Sequence, residues 1–318
     1  MSLSVFNGCM HKSGSALPIK QSVVTFWLIF TTILWGGSFV FNKIGFREIP
    51  PINFLFLRFT LATLIMGMLC LRRLSRLNRE ILWKGVVVGI ALGATNLSFV
   101  LGLSGTSVSR AGFLNNLFVL FIPLLCFTFW RERVDRWSLA GIVLALVGLW
   151  QLARGGVEGF SRGDLLSTVC ALFIAVHIIL VSKVLRDEDV YLVSLVQFAT
   201  VAAIGALLVA VLPGKPYRIG PVSAGALLYC AVFPTVICFT LQNTFQRYTT
   251  PTKAGLIYTL DPVWSMMGGM AVLGERLSGR EWLGCAFIFA AVVMPVAIRL
   301  YREKRYGIPY RSAVASDE

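Results

Sequence analysis

Of the chain's 318 residues, 57% are apolar and 14% charged, and the mean hydropathy is +0.77; soluble domains carry roughly 45–50% apolar and about 25% charged residues. That balance argues against a water-soluble globular protein, because too little polar surface is present to cover the core. The formal net charge of +14 does not mark a nucleic-acid surface either, since the basic residues form no hydrophilic patch and fall in short gaps between apolar runs, where positive charge orients membrane helices.

Crossing the hydrocarbon core takes about 20 apolar residues in a helix. Runs of that kind occur at 23–42, 52–71, 85–103, 111–130 and 138–153, and again at 163–182, 190–212, 221–245, 254–273 and 282–298. The expected fold is therefore an all-α membrane protein of ten transmembrane helices, with the fifth and tenth spans short. Residues 1–22 carry Lys12 and Lys20 without an apolar run and read as a short tail, and the first span is full length without a small-residue cleavage site, so it reads as a retained helix. The seven cysteines are widely spaced without a CxxC pair, and most lie inside apolar runs. They indicate neither a disulfide framework nor a metal site.

With the N-terminus inside, nineteen of the 29 Lys and Arg residues fall on the inner side and nine on the outer, the last being Arg58 inside the second span. The asymmetry predicts an inner-membrane protein with both termini in the cytoplasm, anchored most strongly by Arg72, Arg73, Arg76 and Arg79. Trp27, Trp83, Trp130, Trp137, Trp150 and Trp282 fall near span ends, as interfacial residues do, whereas Trp35 and Trp264 lie near the middle of spans one and nine.

The chain also repeats. A shift of 143 residues lays 106–141 over 249–284 without gaps, with seven identities in 36 positions, including the pairs Glu132/Glu275 and Arg133/Arg276. The fourth span thus corresponds to the ninth. Two units of five follow, 23–153 and 154–300, with a C-terminal tail at 301–318. Because five is odd, the second unit enters the membrane from the opposite side, as in secondary transporters whose sites lie between inverted halves.

Several segments resemble the EamA family of the drug/metabolite transporter superfamily. Trp35-Gly36-Gly37-Ser38-Phe39 with Lys43 is similar to that family's first-span signature, and Leu57-Arg58-Phe59 with Ala62 to its second-span element. Leu260-Asp261-Pro262-Val263 followed by Leu273-Gly274-Glu275-Arg276-Leu277 resembles the most specific motif, with Asp261 in place of the commoner Glu. At Trp130-Arg131-Glu132-Arg133 the family usually shows a Gly before Glu-Arg. The resemblance covers about residues 23 to 300. It implies a five-plus-five inverted bundle, without cofactor or enzymatic activity, that moves amino acids or related metabolites, frequently outward.

Arg58 reads either as an anchor for an anionic substrate group or as a structural arginine on helix-end carbonyls. Asp261 precedes Pro262, which cannot donate to the carbonyl of Tyr258, so the ladder loosens there; Tyr258, Asp261 and Ser265 share a face. Asp261 either binds a substrate amine or a proton, or holds the break together. His177 is the lone intramembrane histidine, a proton-coupling group or a packing residue. Asn96, Asn115, Asn116, Gln242 and Asn243 are amides within spans, some facing a cavity and some bridging helices. Trp35 and Trp264 are too deep for a belt and suit a cavity wall, and Ser38 and Asn42 join the candidate set from the first-span signature. Gly85, Gly89 and Gly93 form a close-packing stripe.

The reading is a secondary transporter of a small metabolite working by alternating access, with lipid and the solute as its partners, no nucleic acid, and an oligomeric state that the sequence leaves open, a monomer being compatible with it. A channel, a lipid-carrier flippase or a receptor of transporter ancestry are the alternatives. An intramembrane serine protease, from Gly102-Leu103-Ser104-Gly105 with His177 as base, fits poorly because the motif falls in an expected outer loop and the repeat does not suit that fold. The absence of a phosphate-loop motif argues against ATP-driven transport. Cysteines introduced at positions 132 and 275 and exposed to a membrane-impermeant thiol reagent are expected to label from opposite sides. Labelling of both from one side would remove the inverted-repeat reading.

Overall fold

The structure, a computed structural model, describes residues 19–106, 108–131, 134–153, 161–185, 188–212, 216–264, 266–267 and 278–306. Among them the chain is helical without a strand. Seven helices are long and apolar enough to cross a membrane, and two shorter apolar helices accompany them. The order is α1 (Gln21–Gly45), α2 (Pro51–Cys70), α3 (Arg79–Gly105), α4 (Val108–Asn116), α5 (Phe118–Trp130), α6 (Arg136–Ala153), α7 (Arg162–Val184), α8 (Val190–Val211), α9 (Pro221–Ala231), α10 (Cys238–Phe245), α11 (Pro251–Tyr258) and α12 (Gly279–Tyr306). A π-helical stretch, Val232–Ile237, joins α9 to α10.

Three spans are interrupted, two of them expected to be continuous and the ninth expected to loosen at Pro262. The fourth breaks at Leu117 between α4 and α5, the eighth widens into the π stretch at Pro234, and the ninth leaves the helix at Thr259 and Leu260 before residues 261–264 resume it. The breaks at Leu117 and Leu260 lie one repeat shift apart and share a hydrogen-bond pattern. The N–H groups of Leu117 and Leu260 donate to Leu114 and Ile257 carbonyls, those of Leu120 and Val263 to Leu117 and Leu260, and those of Phe121 and Trp264 to the same two leucines. Pro262 is thus not the whole cause of the ninth-span break, because its counterpart breaks without a proline. At the other end of the chain, α12 runs to Tyr306, past the expected boundary at residue 300. The Glu132–Arg133 and Glu275–Arg276 pairs, Ser265 and nearly all of the expected N-terminal tail lie outside the described residues.

In lipid, helices associate through close van der Waals contact, and small residues permit it. Gly85, Gly89 and Gly93 of α3 face Val196, Thr200 and Ile204 of α8, a parallel crossing in which an added Cβ would lie within 2.8 Å of each neighbour. Gly102 and Gly105 face Ser167 and Gly163 of α7, so that pair is antiparallel. Gly67 and Gly205 tie α2 and α8 through Leu195 and Phe56. In α6, Gly141 meets the Ala291 carbonyl and Gly148 the Gly284 carbonyl of α12, again antiparallel.

Polar ties close both ends of the bundle. At one, Lys43 Nζ donates to the Thr106 carbonyl (2.9 Å), Thr106 Oγ1 donates to Asp164 (2.7 Å), and the Glu48 carboxylate caps α9 by accepting from the Gly220 N–H (2.8 Å) and the Ser223 hydroxyl. Those two hydrogen bonds hold the Glu48 carboxyl below the usual carboxylate range. At the opposite end Lys84 pairs with Glu188 (2.6 Å) and Arg73 with Asp189 (3.2 Å). The Arg73–Asp189 pair is partly exposed, and such pairs are worth about 0–1 kcal/mol, so it fixes register more than it stabilises; Lys84–Glu188 is largely shielded from solvent.

Arg131 closes α5 in the left-handed region, φ 53°, the only non-glycine residue described there. A Cβ is disfavoured in that conformation by about 1–2 kcal/mol, which explains a glycine at this point of the motif. Replacing Arg131 by Gly is therefore expected to raise the thermal unfolding midpoint in detergent, with a gain of up to ~1 kcal/mol; a lower midpoint would show that the Arg131 side chain contributes more than its backbone costs.

Candidate functional site

A cavity of about 120 Å³ opens in the middle of the bundle, lined by residues of α1, α2, α3, the Leu117 break, α7, α10 and the Leu260 break. An engineered cavity of about 150 Å³ takes up benzene, so this one suits a small metabolite.

Ten of the twelve expected residues line it: Trp35, Ser38, Arg58, Asn96, Asn115, Asn116, His177, Gln242, Tyr258 and Asp261. Asn42 and Trp264 are outside the lining. Asn42 is fully buried and bonds the Ser38 carbonyl of its own helix (2.7 Å). Trp264 donates from Nε1 to Thr32 Oγ1 (2.8 Å) and packs its ring on Phe289. Trp35 instead reaches across to the π stretch, donating to the Pro234 carbonyl (3.0 Å), with its ring edge-on to Tyr258. Depth in the span therefore marked one wall residue and one helix-to-helix tie.

The amides acquire a common polarity from helix geometry. Asn96 and Asn116 each donate to the carbonyl four residues back, Leu92 (3.0 Å) and Gly112 (2.8 Å). Gln242 donates to Gln246 Oε1 (2.7 Å), which also accepts from the Tyr258 hydroxyl (3.0 Å). Donors are consumed on the protein side, and acceptors are left over. Five oxygens on the lining are buried without a hydrogen-bond partner: Thr95 Oγ1, Asn115 Oδ1, Asn116 Oδ1, Gln242 Oε1 and Asp261 Oδ1. Buried polar atoms are rarely left unpaired in folded proteins, so the cavity is built to receive hydrogen-bond donors.

Arg58 brings the opposite character. It is 3% exposed, and its Nε–H is shared between the Cys230 carbonyl (3.1 Å) and Thr235 Oγ1 (2.7 Å). Neither Arg58 nor Asp261 takes part in an ion pair among the described residues. Each is a charged side-chain type in a water-poor bundle, and a charge at the centre of a span costs at least ~2.5–3.5 kcal/mol on insertion scales.

His177 accepts at Nε2 from the Gln197 amide (2.8 Å), and Gln197 Oε1 accepts from Asn243, which also donates to Ser194 (3.0 Å). The serine-protease pairing is absent: Ser104 lies in the last turn of α3, not in a loop, and its hydroxyl donates to the Leu101 carbonyl (2.8 Å). Sequence reasoning missed Thr95, Gln197, Gln246 and Thr235. Gln197 was findable as the one amide in an otherwise apolar span, and Thr235 by its place after a mid-span proline. Thr95 carries no signal that separates it from other threonines in spans.

A multi-pass membrane bundle with breaks in its helices around a central, mostly apolar cavity that holds a few polar groups is the architecture of a solute transporter. The family model for the EamA-like transporter family matches twice, at residues 23–154 and 161–296. The chain belongs to that family. A protein of Archaeoglobus fulgidus named as an uncharacterized transporter is 28% identical over 291 residues, covering 92% of this chain and 91% of its own. The inner membrane transporter YedA of Escherichia coli is 24% identical, covering 87% of this chain and 92% of its own. An Escherichia coli protein named "Probable amino-acid metabolite efflux pump" is 26% identical, covering 90% of this chain and 96% of its own. A crystal structure 24% identical in sequence superposes with a TM-score of 0.72 over 88% of this chain and 99% of that one, a likeness of fold.

Proposed function

We propose that this transporter moves a small zwitterionic metabolite, an amino acid or close relative, outward across the inner membrane by alternating access between two inverted five-helix units. The observation that carries the substrate class is the pairing of opposite needs in one cavity. Four buried acceptor oxygens, one of them on the Asp261 carboxylate, lack donors, and the Thr95 hydroxyl lacks a partner of either kind, while Arg58 offers a guanidinium that no carboxylate balances. An ammonium group supplies three donors and a positive charge. A carboxylate supplies acceptors and a negative charge. One small molecule carrying both meets the two opposite needs, its three N–H donors reaching Asp261 and neighbouring oxygens, and Trp35, Phe99 and Phe239 give its side chain an apolar wall.

Outward direction is supported by the relative named as an efflux pump. The two-unit organisation, 23–153 and 154–300, is supported by the double family match and by the replicated hydrogen bonds at Leu117 and Leu260. It is supported further by exchange symmetry in the glycine contacts. Gly141 meets Ala291 and Gly148 meets Gly284, and a shift of 143 residues turns each pair into the other, the reciprocal contact that a two-fold axis generates. The antiparallel run of that contact agrees with opposite insertion of the fifth and tenth spans. Cytoplasmic termini are supported by the charge asymmetry.

The test is counterflow in proteoliposomes preloaded in turn with each of the twenty L-amino acids. At least one is expected to drive saturable uptake of its labelled form. Asp261→Asn keeps the side-chain shape and removes the charge, and is expected to leave folding intact while lowering that counterflow by about ten-fold or more, the scale of one lost charge-assisted hydrogen bond. No saturable counterflow with any of the twenty, or normal counterflow in the Asn variant, would overturn the zwitterion reading.

A further inference from the structure

We infer that Thr235 is a positioning residue for substrate selection, and that the π-helical stretch around it exists to aim Arg58 into the cavity. The inference rests on the zwitterion reading above and assigns to a residue outside the lining the control of how the carboxylate is read.

Pro234 has no N–H, so the Cys230 carbonyl, four residues earlier, loses its ordinary α-helical partner. The backbone widens to the π pattern over Val232–Ile237, and such single-turn insertions are recurrent at functional sites. Thr235 then donates its hydroxyl back to that same carbonyl, at 2.7 Å. With its hydrogen spent, Thr235 Oγ1 has only lone pairs to offer, and it accepts from Arg58 Nε at 2.7 Å, while the Cys230 carbonyl accepts from the same N–H at 3.1 Å. Trp35 Nε1 fixes the other side of the bulge through the Pro234 carbonyl. Thr235 is fully buried and Cys230 with it.

A guanidinium is a rigid planar fork with five N–H donors. Fixing Nε therefore sets the direction of the two Nη groups. Those groups make no hydrogen bond among the described residues, and Arg58 lines the cavity. The free edge of the fork is the edge that binds a carboxylate with two parallel hydrogen bonds. Thr235 thereby acts through Arg58, one side chain removed from the solute. Without the Thr235 oxygen the guanidinium keeps one weaker acceptor and gains rotational freedom, so charge attraction survives while the paired geometry is lost. The consequence is specific. Affinity for a carboxylate falls, and affinity for an otherwise identical solute lacking that charge does not.

The experiment measures binding to the purified full-length chain by thermal shift, using each of the twenty L-amino acids and its matching carboxamide, at a pH where both carry an ammonium. The wild type is expected to prefer acid over amide by at least about ten-fold, the scale of a charge-assisted pair. Thr235→Val removes the hydroxyl at nearly constant volume and is expected to reduce that preference to about two-fold or less with amide affinity unchanged. Thr235→Ser restores it. Arg58→Gln abolishes it. Preference retained in Thr235→Val but lost in Arg58→Gln overturns the role of Thr235 and leaves the zwitterion reading standing. Absence of binding by every amino acid, or equal affinity for acid and amide in the wild type, overturns both. If Thr235→Val does not fold, a Thr235→Ser protein without the wild-type preference, or a Thr235→Ala protein with it, overturns the inference equally.

Discussion

A guanidinium inside a membrane bundle has no water to fall back on, and much of the cavity's geometry follows from how Arg58 is accommodated. Arginine stays protonated in proteins, so the charge cannot be removed by losing a proton. Its Nε–H is satisfied by an oxygen pair that an unbroken α-helix would not present. The Cys230 carbonyl is available because Pro234 cannot bond to it, and Thr235 is turned toward it by the same widening of the helix. The remaining donors look into the cavity. Asp261, from the broken ninth span on the other side, contributes an oxygen with no donor of its own. The two charged side chains are not each other's partners, and that leaves room for a solute between opposite charges.

The same constraint accounts for where the backbone departs from regularity. Non-helical backbone at membrane depth is tolerated when it is buried in protein or lines a cavity. The Leu117 and Leu260 breaks border this cavity, the π stretch holds the Arg58 side chain that lines it, and in no other described span is the helix interrupted. Around it, close glycine contacts hold α3 on α7 and α8, and α6 on α12, so the frame is rigid where the lining is irregular. Polar ties at each end, Glu48 to the start of α9 and Lys84 to Glu188, join segments more than 100 residues apart in sequence.

Much of this was legible in the sequence because lipid makes composition a strong constraint. A 20-residue apolar run has few alternatives to a spanning helix, and intramembrane polar residues are rare enough to stand out. Arg58, His177, Asp261 and the amides were visible for that reason. Pro262 marked the loosening of the ninth span, but the runs concealed the interruption of the fourth and the widening of the eighth. Leu117 carries no breaker residue, and hydropathy does not register a turn that remains apolar. Asn42 and Trp264 look like cavity residues by type and depth, but a helix has several faces at each depth, and these two point to Ser38 and Thr32 within the protein. Thr95 and Thr235 escaped because threonine is common in spans and its partner is fixed only by tertiary contact. That Asn96 and Asn116 each spend an N–H on a carbonyl of their own helix, while Gln197 and Asn243 donate across helices, is likewise a property of packing and not of sequence.

The central claim is that one molecule bridges Arg58 and Asp261. The most direct measurement is a structure of the chain solved with the amino acid that sustains counterflow, labelled so that its two ends are distinguishable in the map. The account predicts the carboxylate on the Arg58 Nη groups and the ammonium on Asp261 Oδ1, with neighbouring amide oxygens completing its shell. A ligand bound in the reverse sense, or seated elsewhere in the bundle with Arg58 and Asp261 still unpaired, would contradict it.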